Sequence, residues 1–188
     1  DLHAGLFRGA AVRLWNVLNR AMTGWQMIVR GLPGWRSQFT ISLPGLATAL
    51  FVLAFVAFLA VVLVSIGADV PGIAPVIASM FALALPALAM AIAFQGTRKA
   101  VRDGKPVYDL LVPGIYLMAV FILLEGTLSA IGGPLALLSW IALGYCLFKL
   151  ARAAVDWPLV LSIGFAVLTL VLLAAMRSAL YMVSNATL

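Results

Sequence analysis

The sequence predicts an all-α integral membrane protein: a bundle of five transmembrane helices preceded by an N-terminal amphipathic helix lying in the membrane interface. Three observations predict it. Composition is the first, since the 188 residues are 65% hydrophobic and only 10% charged, against about 45–50% apolar and about 25% charged in soluble domains. A soluble core of this size could not enclose so much apolar surface. The second is that five apolar runs are long enough to cross a bilayer core about 30 Å thick, which takes about 20 helical residues. The third is that the basic residues fall on one side of the alternating topology those runs imply.

The chain divides into a cytoplasmic or interfacial segment, 1–40, and a transmembrane domain, 41–188. Within residues 6–32, LFRGAAVRLWNVLNRAMTGWQMIVRGL, helical periodicity places Arg13, Asn16, Arg20, Thr23 and Arg30 largely on one face. Leu14, Leu18, Trp25, Ile28 and Val29 fall mostly on the other. Basic and apolar faces with Trp15 and Trp25 near their boundary describe a helix resting in the headgroup region.

The five spans are expected at about 42–66, 73–95, 108–130, 134–151 and 157–180, all helical because lipid offers no partner to an unsatisfied backbone group. GADVPG (67–72) separates the first two. Pro86 stands in the middle of the second span, where a missing N–H predicts a kink and a freed carbonyl. IGGP (131–134) is a tight turn with Pro134 opening the next helix. Asp156, ahead of Trp157 and Pro158, reads as the N-cap of the fifth span. Ala78, Ala82, Ala89 and Ala93 in the second span, and Ser162 and Ala166 in the fifth, follow the small-residue spacing that lets helices approach closely in lipid.

Arg8, Arg13, Arg20, Arg30 and Arg36 precede the first span. Arg98, Lys99, Arg102 and Lys105 form a basic loop between the second and third, and Lys149 and Arg152 lie between the fourth and fifth. These regions hold eleven of the twelve Lys and Arg residues, and the opposite turns hold none. The positive-inside rule then puts the N-terminus in the cytoplasm and the C-terminus outside. The net charge of +6 is thereby topological and faces anionic headgroups, not nucleic acid. No short apolar core followed by a small-residue cleavage site opens the chain, so no signal peptide is expected. The Ala-, Gly- and Arg-rich usage suggests a bacterial inner membrane.

Catalytic motifs are sparse. One cysteine, Cys146, and one histidine, His3, leave no ligand set for a metal, and no HExxH, GxSxG or P-loop pattern occurs. No cofactor is implied, and no enzyme is expected. Asp109 is placed to pair with Lys105 or Arg152. The notable acid is Glu125 in FILLEGTLSA (121–130), preceded by fifteen uncharged residues. At about 1.5 Å per residue it lies roughly 22–27 Å along the third span, and Arg177 roughly 28–30 Å along the fifth. Either charge buried alone at mid-bilayer would cost about 2.5–3.5 kcal/mol. Three readings of Glu125 stand: an intramembrane ion pair with Arg177, a group in interfacial water beside Thr127 and Ser129, or a proton- or cation-handling group in a transport path. Transporters usually place coupling groups near the midplane of repeated halves, and five spans do not divide into two.

The stretch SWIALGYCLFKLARAAVDWPLVLSIGFAVL (139–168), together with the five-span layout, resembles the Yip1-like family of small membrane proteins. A short tryptophan-bearing helix leads there through a basic turn into the final helix. The aspartate–leucine–tyrosine–glycine–proline signature of eukaryotic members is missing, and DLLVP (109–113) is a loose echo on the third span. The resemblance implies a non-enzymatic role in membrane organisation or trafficking with protein partners. The functional expectation is therefore a scaffold, assembly or accessory protein, working with other membrane proteins or as a homo-oligomer. Its alternative is a small transporter, channel or permease subunit with Glu125 in the solute or proton path.

Overall fold

Long apolar runs free of polar interruption form helices here because only an α-helix satisfies its own backbone hydrogen bonds without water. The computed structural model describes the backbone of residues 2–65, 73–102 and 104–186, and the side chains of 15–63, 76–102 and 104–183. Helix α1 (Leu2–Arg30) is followed by a 3₁₀ turn (Trp35–Gln38), α2 (Leu43–Ser65), α3 (Ile73–Val101), α4 (Tyr108–Ile131), a second 3₁₀ turn (Gly133–Leu135), α5 (Ala136–Val155) and α6 (Leu159–Ala186). Five of these helices, α2 to α6, are long and apolar enough to cross a membrane, and no strand occurs among the described residues. The chain is an all-helical integral membrane protein.

The central helix is α4. Over an 18-residue apolar stretch 61% of its residues are buried, against 28% for each of the other four, and every residue from Val112 to Ala119 is buried. Helices α2 and α5 pack closely on α4, α3 packs mainly on α6, and α5 also packs on α6. The outward faces carry Phe51, Phe55, Phe58, Phe81 and Val160, all exposed. Apolar patches on this scale are rare on soluble proteins and ordinary where acyl chains cover them.

Helix ends follow local chemistry more than hydropathy. Helix α2 opens with Ser42 as its cap, the hydroxyl accepting the Gly45 N–H at 3.3 Å, and Pro44 occupies a first-turn position where no N–H partner is needed. Helix α3 runs on past the expected end at 95 to Val101, because Arg98 and Lys99 suit the negative end of a helix dipole. It continues as a helix through Pro86, whose ring is buried. Asp156 does not cap α6. It adopts a left-handed conformation (φ 50°, ψ 32°) that ends α5, and α6 begins only at Leu159, since the residue before a proline is steered away from helix.

Small-residue packing is real but partial. Ala89 and Ala93 of α3 and Ser162 and Ala166 of α6 are buried, in the two helices that pack together, whereas Ala78 is exposed. Phe94 of α3 fills the space beside them, with its ring centroid 5.9 Å from that of Trp157 and 6.4 Å from that of Phe165. The turn 67–72 and Asp103 lie outside the described residues.

Helix α1 docks on α4 and α5 by a stripe centred on small residues. Ala21, Gly24 and Ile28 are buried, and Val17 is half-buried. Trp15 and Met22 are exposed, and so is Leu18, which the periodicity had put on the apolar face. The difference has a steric cause. Phe39, on the segment leading into α2, lies so close over Gly24 that a Cβ there would strike its ring. The small residues thus mark the docking line and the larger apolar ones its margin.

Candidate functional site

Glu125 stands on the distal half of α4, six residues before the α4–α5 turn begins. Arg177 of α6 grips it with both terminal nitrogens: Nη1 donates to Oε1 at 2.5 Å and Nη2 to Oε2 at 2.7 Å. Trp140 of α5 adds a third bond, its indole Nε1 donating to Oε1 at 2.8 Å. The guanidinium carbon also lies 5.4 Å from the Trp140 ring centroid and 5.7 Å from that of Phe121, within cation–π range. Two aromatic faces and one carboxylate therefore enclose one cation, and three helices meet in the cluster. Glu125 and Arg177 side chains keep 16% and 30% of their exposure.

Helical rise explains why these residues meet. Glu125 and Arg177 lie roughly 26 Å and 27 Å from the starts of α4 and α6, which run in the same direction. The backbones of α4 and α6 scarcely approach one another, so the contact is made by extended side chains. Trp140 enters from the antiparallel helix: it lies as far after the IGGP turn as Glu125 lies before it. The two charges stand out in the sequence and this neutral tryptophan does not, although its equal spacing from a tight turn is a usable signal. Thr127, considered as a polar neighbour of Glu125, bonds instead to the Leu123 carbonyl at 2.7 Å.

At the opposite, basic end the three loop regions are stitched together. Arg36 Nε donates to Asp109 Oδ2 at 2.8 Å and its Nη2 to the Ala154 carbonyl at 3.0 Å. Its guanidinium sits 4.7 Å from the Trp35 ring centroid. Asp109 thus pairs with Arg36, not with Lys105 or Arg152 as the local charges suggested. Those two cations are directed elsewhere: Lys105 reaches the Val155 carbonyl and the Asp156 carboxylate at 3.5 Å, and Arg152 donates to the Trp157 carbonyl at 2.9 Å. The αL turn at Asp156 exposes the carbonyls these cations bind, which is why they turn towards it. Trp25 Nε1 donates to the Pro113 carbonyl at 3.0 Å and pins α1 to α4.

The remaining candidates occupy the following positions. Arg98 and Lys99 lie in the last turn of α3, and Arg102 is exposed in a left-handed conformation (φ 53°) just beyond it. Arg20 donates to the Ser37 carbonyl at 3.2 Å, Arg30 and Trp15 are exposed, and the side chain of Arg13 lies outside the described residues. Pro86 is buried in α3 and makes none of the hydrogen bonds to Glu125, which come from Arg177 and Trp140. Among the described residues no fully buried side-chain nitrogen or oxygen lacks a hydrogen-bond partner.

Compared with known proteins, the chain matches no family model, no curated protein and no solved structure. What the fold and the clustered polar contacts define is a class: a helical integral membrane protein whose charged residues tie its own helices together.

Proposed function

We propose that the chain is a non-catalytic scaffold, assembly or accessory protein of a bacterial inner membrane, N-terminus in the cytoplasm and C-terminus outside. One observation carries the reading. Glu125, the acid best placed for transport chemistry, has both oxygens bound by Arg177 and one also by Trp140. A carboxylate so engaged ties helices and has little left to offer a passing ion. The same economy holds at the basic end, where Arg36, Lys105 and Arg152 bind carboxylates and backbone carbonyls of neighbouring loops. The Yip1-like resemblance of residues 139–168 supports the same role in membrane organisation, with other membrane proteins or further copies of the chain as partners. The charge bias of the loops supports the orientation.

Flux measurement in sealed vesicles tests it. The reconstituted protein is expected to carry no more protons or small cations than protein-free vesicles. A flux present in the native chain and abolished in Glu125→Gln would overturn the scaffold reading in favour of transport through this site.

A further inference from the structure

Two cavities open along α1. The first, of about 380 Å³, is walled by apolar side chains that include Met22 and Trp25 of α1, Val56 of α2, Val120 and Leu123 of α4, and Cys146 of α5. Gln26 and Arg30 also line it. The second, of about 430 Å³, lies between the α1–α2 connection and the end of α5, and its lining carries Arg36, Lys149 and Arg152 with no acidic side chain.

The cavities adjoin along α1, where Val29 and Arg30 line the first and Ile28 and Gly31 the second. On α5, Cys146 neighbours Lys149 and Lys149 neighbours Arg152 at i, i+3 spacing, so an apolar wall passes into a cationic one within roughly 9 Å along the helix axis. Arg36 is committed to Asp109 and the Ala154 carbonyl. Lys149 and Arg152 enter none of the ion pairs among the described residues. Lys149 only overlies the Tyr145 ring at 5.7 Å, and Arg152 uses one donor on a backbone carbonyl, leaving further N–H groups of its fork. Both stand in the last turns of α5, at the end of the bundle where the other loop cations gather. Headgroups lie at that depth and acyl chains run inward from it, as the apolar cavity does.

We propose that this paired groove is a binding site for one anionic phospholipid, its phosphate held between Lys149 and Arg152 and one acyl chain laid in the cavity beneath α1. Phosphatidylcholine carries the same phosphate but brings its choline cation against a wall of three cations with no acidic side chain, so its headgroup adds no net counter-charge. A free anion would meet the cations and leave the apolar cavity empty. The site depends neither on the scaffold reading nor on which leaflet the basic end faces.

Native mass spectrometry of the full chain released from neutral detergent tests it. Phosphatidylglycerol, phosphatidylcholine of the same acyl chains and inorganic phosphate are the three probes. Phosphatidylglycerol is expected to give a single adduct at least about tenfold tighter than phosphatidylcholine, a contrast reduced to near unity in Lys149→Gln/Arg152→Gln. The control Lys99→Gln/Arg102→Gln, which removes the same charge from the same end, should shift phosphatidylglycerol binding by less than about threefold. Val120→Trp, at an exposed position on the cavity wall, should weaken both lipids. Lys149→Gln alone leaves the Arg152 bond in place and should show a smaller loss, which keeps the test decisive if the double variant fails to fold. Equal binding of the two lipids overturns the proposal. So does undiminished binding in the α5 variants or in Val120→Trp, or inorganic phosphate binding as tightly as the lipid.

Discussion

At Glu125 two opposite charges are held within an apolar bundle by a forked pair and an indole bond. Such a pair need not stabilise the fold relative to well-packed apolar residues, but breaking one side strands the other charge. Glu125→Gln and Arg177→Gln are each expected to lower stability by about 2 kcal/mol or more, read from denaturant titration in mixed micelles. The double variant should be no less stable than the worse single one, giving a coupling of about 1–3 kcal/mol; additive losses would show that the two residues act independently. The matching depth of Glu125 and Arg177 was readable from helical rise alone. Trp140 was not read, because attention to charge overlooked a neutral donor placed symmetrically across the IGGP turn. The partner of Asp109 was unreadable for a different reason. Arg36 lies 73 residues away, in a connection whose path has no periodicity to follow.

The elements themselves were the most legible part, since hydropathy marks a span without needing tertiary context. Their ends were less so: α3 gained its last turn from Arg98 and Lys99, and Asp156 closed α5 where a cap for α6 had been read. The docking of α1 was hidden because its contact line is made of Ala21 and Gly24, which a reading of large apolar residues passes by. Glycines carry similar information at the start of α2. Gly45 is buried, and a Cβ there would fall on the Thr40 carbonyl oxygen, a backbone atom that cannot swing aside. Gly96 in α3 has nothing within 4 Å of the equivalent position. The same substitution should therefore act with opposite sign. Gly45→Ala is expected to destabilise the protein by about 1–3 kcal/mol, and Gly96→Ala to stabilise it by about 0.4–1 kcal/mol. Thermal unfolding in detergent measures both, and equal effects would mean that the α2 entry turn yields to the added methyl group.

For the whole molecule, five alternating spans require the N-terminal segment, the α3–α4 loop and the α5–α6 loop to share one end. The contacts Arg36–Asp109, Arg36–Ala154 and Lys105–Asp156 join those three regions physically, so the basic residues are gathered by the fold as well as by the count of spans. Arg177 is the exception among the twelve cations, and it is the one neutralised by a carboxylate inside the bundle. The proposed orientation follows from this asymmetry, because basic loops resist translocation while the lysine- and arginine-free turns do not. A C-terminal fusion to an enzyme active only outside the cytoplasm should be active, and one active only inside should be silent. Removing α6 by truncation before Leu159 should reverse both signals, since the chain would then end on the basic side. Neutralising Arg98, Lys99, Arg102 and Lys105 together should produce a mixed population, because the central loop would no longer favour one side. A cytoplasmic C-terminus in the intact chain would break the orientation, and with it the assignment of the basic end to the cytoplasmic leaflet.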